Sequence, residues 1–408
     1  MLRARARGGV DVADARVRLP ARGAARVKVA GEPGGAPEVE VIIRAIELRE
    51  VSLPLVRPFR TSFGEETVKG AILVRVESDA AEGWGECVAP PLPRYSSEWI
   101  DGAWRMLENV MAPALTGGII GRPEDVGERL GWIRGHRMAK AALEAAVTDA
   151  WLRCRGLSLR DFVGGVRDRV PCGVSVGIAS SPQAMLEEIT GYVERGYRRI
   201  KLKIEPGRDV QVVRAIRESL PDTPLSVDAN AAYSLADAPV FEALDELDLV
   251  MIEQPLHHED LMEHAKLAGR LRTPICLDES IRSARDAAAA IDLGACRVIN
   301  IKPGRVGGLV ESVRVHDAAR ERDVPVWIGG MLETGVGRAV NVALASMPGV
   351  SLPGDTSGSD RYFSEDLTAP FVVEADGTMA VPSAPGIGVE IEPERLAART
   401  VRRVRVPH

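Results

Sequence analysis

Two early stretches of the chain, residues 46–53 and 71–78, alternate apolar and polar positions and predict antiparallel β-strands with one buried face. The Gly- and Thr-containing segment 61–70 is expected to join them. Apolar residues at three- and four-residue intervals then predict helices over 98–115 and 138–155, the second reinforced by the alanines of 139–150. After Val170 the rhythm changes. Short β-branched runs at 172–178, 199–204, 225–227, 249–252, 275–277, 298–301, 326–328 and 350–352 are each followed by a helical stretch. Strands alternating with helices predict parallel βαβ units, and eight of them predict an α/β fold closed as a (β/α)₈ barrel in preference to an open doubly wound sheet. The expected division is a disordered extension over 1–42, an α+β capping domain over 43–168, the barrel over 169–385, and a segment over 386–408 that returns to the cap.

Composition narrows the partners. The 408 residues are 45% hydrophobic and 27% charged with a formal net charge of −6, which suits a globular chain and leaves no basic footprint for nucleic acid. No stretch approaches the roughly 20 apolar residues that a bilayer-spanning helix needs. Small molecules are the expected partners, and a homo-oligomer the expected assembly. Cys87, Cys154, Cys172, Cys276 and Cys296 are an odd, scattered set without a CxxC pair, which argues against a disulfide framework or a structural zinc site and for a reducing cytoplasm. The first thirty residues carry eight basic and two acidic side chains and lack the apolar core of a secretion signal.

Five consecutive predicted barrel strands end in residues able to do chemistry: Lys203, Asp228, Glu253, Asp278 and Lys302, at spacings of 25, 25, 25 and 24 residues. One strand-plus-helix unit per interval puts all five at the C-terminal rim, where barrel enzymes carry their active sites. Period-two alternation points Lys201 inward below Lys203, Asn300 below Lys302, and Ser226, Met251 and Cys276 below the acids. A lone acid after a strand is usually a helix cap or a solvated charge. Five in phase are not. The acids end adjacent strands three, four and five, and the lysines end strands two and six on either side. Three converging carboxylates require a cation, and an all-oxygen ligand set suits Mg²⁺, or Mn²⁺ or another divalent ion. Such a site removes a proton beside a carboxylate of a small molecule, with Lys201 in a supporting role. A Schiff-base aldolase would leave the three acids unexplained, and a non-catalytic metal- or carboxylate-binding barrel is the third class.

The chain resembles the enolase superfamily, specifically the o-succinylbenzoate synthase / N-succinylamino acid racemase family, over about residues 43–400. The resemblance rests on Pro58-Phe-Arg-Thr-Ser-Phe-Gly64, Gly83-Trp-Gly-Glu-Cys87, Lys201-Leu-Lys203, Val227-Asp-Ala-Asn230, Ile252-Glu-Gln-Pro255, Leu277-Asp-Glu-Ser280, Asn300-Ile-Lys-Pro303 and Gly329-Gly-Met-Leu-Glu-Thr-Gly335. It implies that Asp228, Glu253 and Asp278 bind Mg²⁺ and that Lys203 and Lys302 are the acid/base pair. The implied reactions are dehydration of a cyclohexadiene carboxylate to 2-succinylbenzoate, in menaquinone synthesis, and racemisation of N-succinylamino acids. The alternatives are a racemase as the physiological role, or a dipeptide epimerase or muconate cycloisomerase. The resemblance further implies substrate contacts at Ser175, Asn230, Gly330 and Met331, and lid loops at 59–63 and 90–95. Arg305 resembles a feature of the racemase-capable branch, and its charge is expected to disfavour the ammonium form of Lys302. A dipeptide epimerase should offer an Asp-x-Asp clamp after strand eight, whereas Leu352-Pro-Gly-Asp-Thr-Ser357 holds one acid. Arg94 in the second lid stretch departs from the family pattern.

Overall fold

The computed structural model describes residues 40–179 and 181–408. The extension expected over 1–42 falls largely outside them, but its boundary moves: β1 (Val41–Thr61) already begins at Val41, where Val41 and Ile42 pair with β4 (Ile119–Ile120). β1 forms an antiparallel hairpin with β2 (Gly64–Ser78), and β3 (Glu82–Cys87) pairs with β2 in turn. The segment expected to link two short strands is therefore mostly strand, turning at Ser62 and Phe63. The ladder runs out to Thr61 opposite Gly64, slipping between Pro54 and Phe59, where proline supplies no N–H. The first lid loop is the tip of this hairpin.

The helix Arg137–Arg155 lies directly on β3. Gly83 and Gly85 make this approach possible, since a Cβ at either would stand 2.2 or 2.1 Å from helix backbone oxygens. The helix buries Leu143, Ala146, Val147 and Ala150 against the sheet core. The helix expected over 98–115 is present as Ile100–Met106 and Ala112–Leu115 with a π-helical turn, Leu107–Met111, between them.

After the short strand β5 (Arg169–Pro171) come seven parallel strands: β6 (Gly173–Val176), β7 (Arg199–Lys203), β8 (Leu225–Asp228), β9 (Ile252–Glu253), β10 (Ile275–Leu277), β11 (Val298–Ile301) and β12 (Val326–Ile328). Their spatial order matches the chain order, the arrangement of a (β/α)₈ barrel. The eighth position, expected at 350–352, is not a regular strand. Single bridges from Val350 to Val326 and from Gly354 to Cys172 close the gap between β12 and β6, and Pro353 between them cannot donate to a ladder. Met251, Cys276, Val298 and Trp327 fill the barrel interior, with the Arg199 guanidinium 4.1 Å from the Trp327 ring centroid. The chain returns through β13 (Thr378–Ala380), which pairs with β5, and ends in β14 (Thr400–Pro407), which completes the first sheet beside β1. No helix among the described residues is long and apolar enough to cross a membrane.

Two buried glutamates from the first α+β unit cap barrel helices. Glu86 on β3 accepts from Thr334 N, Thr334 Oγ1 and Gly337 N at the start of the helix Gly335–Ala345. Glu144 accepts from Val310 N at the start of the helix Leu309–Arg320. Burial pushes both carboxyls up from 4.5 to about 7 against these bonds. Because the folded state holds these protons more tightly than the unfolded chain, stability falls as pH rises through that window, by up to roughly 1.4 kcal/mol per pH unit per group. Glu144→Gln keeps an acceptor for Val310 N and loses the titration. Thermal unfolding between about pH 5 and about pH 7 should show a flatter pH dependence for this variant than for the parent; an unchanged slope would refute the assignment.

Candidate active site

Barrel geometry brings the five in-phase residues together as the spacing requires. Lys203, Asp228 and Glu253 are the last residues of β7, β8 and β9, and Asp278 and Lys302 come directly after β10 and β11. In register, Lys203 pairs with Asp228 and Asp228 with Glu253. The carboxylates of Asp228, Glu253 and Asp278 each offer an oxygen within 4.8 Å of the others, and all three residues are fully buried. The backbone just past the strand ends is strained: Asn230, Ala231, Gln254 and Leu332 all adopt positive φ, at 45°, 61°, 36° and 56°. Non-glycine residues in this conformation gather where a site requires particular side-chain directions.

Cations surround the acids. Lys203 Nζ donates to Asp228 Oδ2 at 2.6 Å and to Asn230 Oδ1 at 2.7 Å. On the opposite flank Lys302 Nζ donates to Asp278 Oδ2 at 2.7 Å. Lys201 lies deeper, 2.9 Å from Glu253 Oε2, 3.2 Å from Asp228 Oδ2 and 2.7 Å from Asp355 Oδ2. Asn300 Nδ2 donates to Glu253 Oε1 at 2.7 Å, and Gln254 Oε1 accepts from the backbone N–H groups of Asp278 and Ser280.

These charges decide the protonation states. Burial opposes ionisation of Asp228, but Lys203 and Lys201 hold its carboxyl far below the usual range. Asp278, likewise opposed by burial, is held near 2 by Lys302 and Arg305. Glu253, between the two, is pushed up to about 7 by burial and by Asp228. Burial and the neighbouring carboxylate thus oppose ionisation of the central acid. An added divalent cation would let all three ionise, and three clustered carboxylate oxygens are the donor chemistry that hard cations take. The residues fit a metal site.

A cavity of about 180 Å³ opens above the acids, walled by the three lysines, Ser175, Asn230, Gly330, Met331 and Asp355 from the barrel, and by Phe59, Phe63, Lys69, Arg94 and Tyr95 from the cap. The lid stretches 59–63 and 90–95 are thereby placed over the site. Ser175 is 4% exposed and its hydroxyl has no hydrogen-bond partner among the described residues; its backbone pairs with Lys201 in register.

Arg305 differs from expectation. It is buried, binds Asp278 Oδ1 and donates to Ile281 O at 2.6 Å, sharing one carboxylate with Lys302 and not lining the cavity. Burial opposes the charge on Lys302, but Asp278 and then Tyr95 hold the amine well above the ordinary lysine range. The expected weakening of the ammonium form by Arg305 is not found in this arrangement, because the carboxylate between the two cations dominates.

Tyr95 and Asp355 have larger parts than their sequence settings signal. Tyr95, from the Pro-rich loop, donates its hydroxyl to Asp278 Oδ1 at 2.7 Å and places its ring centroid 4.6 Å from Lys302 Nζ. Asp355 holds Lys201 and Arg199 together. Neither residue carries a periodic signal, though an aromatic or an acid within a Pro/Gly-rich loop is a usable hint.

Saturation with a divalent cation at about 100 times its dissociation constant should raise the unfolding free energy by about 2.7 kcal/mol. Asp228→Asn should abolish most of that gain in a thermal-shift titration; an undiminished shift would place the cation elsewhere.

Residues 43–164 match the mandelate racemase / muconate lactonizing enzyme N-terminal domain, and residues 184–395 match the enolase C-terminal domain-like family. An N-succinylamino acid racemase from an Amycolatopsis species is 53% identical over 89% of this chain and 98% of its own length. An o-succinylbenzoate synthase from Geobacillus kaustophilus is 49% identical over 88% and 96%. A solved enolase-superfamily structure from Listeria innocua, 38% identical, superposes with a TM-score of 0.86 over 90% of this chain and 99% of its own. With both domain models matched and relatives this similar along most of its length, the chain belongs to the o-succinylbenzoate synthase / N-succinylamino acid racemase family of the enolase superfamily.

Proposed function

We propose that the protein is a Mg²⁺-dependent o-succinylbenzoate synthase, dehydrating 2-succinyl-6-hydroxy-2,4-cyclohexadiene-1-carboxylate to 2-succinylbenzoate, and that the same site racemises N-succinylamino acids. The observation that carries this reading is the placement of Lys203 and Lys302 on opposite flanks of three buried carboxylates in one cavity. In this reading residues 43–168 and 386–408 form the cap and 169–385 the catalytic barrel. The five cysteines, none of them bridged, support a reducing cytoplasm.

Asp228, Glu253 and Asp278 would hold the metal, whose charge favours the build-up of negative charge on the substrate carboxylate when its α-proton leaves. Lys203 takes that proton. Asn230 Oδ1, held beside its Nζ, orients the amine, and Asn230 Nδ2 is in turn fixed by Glu279 Oε1 at 3.0 Å. Lys302 faces the reacting carbon from the other side. As an ammonium it steadies the carbanion while the 6-hydroxyl leaves as water, carrying the proton that Lys203 had taken, which completes the dehydration and restores Lys203. In racemisation it returns a proton to the face opposite Lys203, inverting the centre. Lys201 and Asn300 each bind Glu253, keeping it directed at the cluster. Ser175, Gly330 and Met331 line the cavity as substrate contacts. Glycine at 330 leaves the backbone accessible.

The dipeptide epimerase alternative is disfavoured by Asp355. The one acid of that run is committed to Lys201 and Arg199 and does not stand free to meet a substrate ammonium.

Incubation in D₂O with N-succinylamino acids should exchange the α-proton. Lys203→Ala and Lys302→Ala should each lower kcat by roughly 10²–10⁴-fold. EDTA should remove activity and Mg²⁺ restore it; full turnover after chelation would sink the metal-dependent reading. Comparing kcat/KM for the synthase substrate with a panel of N-succinylamino acids would rank the two reactions.

A further inference from the structure

Five cations line the cavity: Lys69, Lys201, Lys203, Lys302 and Arg94. Four are committed. Lys201, Lys203 and Lys302 each hold a carboxylate of the cluster, and buried Lys69 donates to Met331 O at 2.8 Å. Arg94 differs. Its Nη1 donates to Phe63 O at 3.0 Å, which ties the second lid loop to the tip of the first. Among the described residues it forms no ion pair, although Glu65 and Glu66 line the same cavity. A guanidinium bound to one carbonyl keeps most of its N–H donors free, and their fork geometry matches a carboxylate.

Gly64 makes room for that guanidinium. It stands at φ +142°, and a Cβ there would lie 2.3 Å from Arg94 Nη1. The hairpin tip and the arginine are thus fitted to each other over the mouth of the cavity.

Both substrates of the proposed reactions carry a second carboxylate at the far end of the succinyl group, away from the carboxylate that meets the acid cluster. An anion entering a cavity that also exposes Glu65 and Glu66 is repelled unless a cation on the cap receives it. We propose that Arg94 is the specificity residue that receives the distal carboxylate of succinyl substrates, closing the two lid loops on it. This rests on the reading of the site as a synthase/racemase.

The test compares kcat/KM for racemisation of N-succinyl and N-acetyl derivatives of one amino acid, with Mg²⁺ present. In Arg94→Ala the succinyl-over-acetyl preference should fall by roughly 10- to 100-fold, as expected for a lost charge-assisted bond, chiefly through a higher KM for the succinyl compound. Arg94→Lys, which keeps the charge but not the fork, should retain part of the preference. Gly64→Ala, which displaces the guanidinium without removing it, should lower the same ratio. Equal losses on both substrates would mean that Arg94 only holds the lid, and no loss on either would mean that the distal carboxylate is met elsewhere; either overturns the proposal. If the parent enzyme racemises neither compound and does not dehydrate the synthase substrate, the functional reading itself fails.

Discussion

Three carboxylates on adjacent strands, buried with their oxygens within 4.8 Å of one another, are unstable as a set unless positive charge compensates them. Much of the barrel's polar architecture answers that requirement. Lys203 and Lys302 flank the set, Lys201 lies beneath it, and Arg305 and Tyr95 take up the remaining oxygen of Asp278. The same compensation prepares the chemistry, because the three lysines that neutralise the acids border the cavity where a substrate carboxylate would bring further negative charge. Deeper down, Asp355 and Arg199 pass the charge balance to the barrel interior, where Trp327 closes the core.

The cap is bound into this network and does not simply cover it. Tyr95 reaches a cluster carboxylate, Lys69 holds the Met331 carbonyl, and Glu86 fixes the start of the helix beyond the β12 loop. Glu144 makes an equivalent connection to the helix Leu309–Arg320. Each contact links a cap side chain to backbone or charge at the rim. The pair of glycines on β3 lets the helix bearing Glu144 lie directly on the sheet.

In the proposed mechanism, lysines on two sides of one carbon let dehydration and inversion share a site. Proton abstraction is common to both reactions, and the second step is set by whether the substrate carries a leaving group or an exchangeable stereocentre. Selection among substrates is then left to the cavity wall, much of it contributed by the lid loops.

The spacing of Lys203, Asp228, Glu253, Asp278 and Lys302 was enough to place them on consecutive strands at one height, because a regular repeat of strand and helix converts chain distance directly into position around a barrel. Inward parity likewise foretold Lys201, Asn300, Met251 and Cys276. What sequence periodicity does not encode is contact between segments without a repeat. Tyr95 and Asp355 lie in Pro- and Gly-containing loops whose paths are set by docking, and the role of Arg305 depends on which atom of Asp278 it meets. The eighth position was placed at 350–352, but its irregularity escaped, since Val350 and Gly354 are held by their neighbours β12 and β6 while Pro353 denies them a ladder of their own. The reach of β1 and β2 to the lid tip was hidden for a similar reason: a hairpin that leaves the core loses its buried face, and with it the alternation by which strands are read. Local patterning therefore determined the scaffold and the reacting groups, whereas the cavity, its cap and the charge partners were decided by tertiary packing, because each depends on long-range contacts that no local pattern reports.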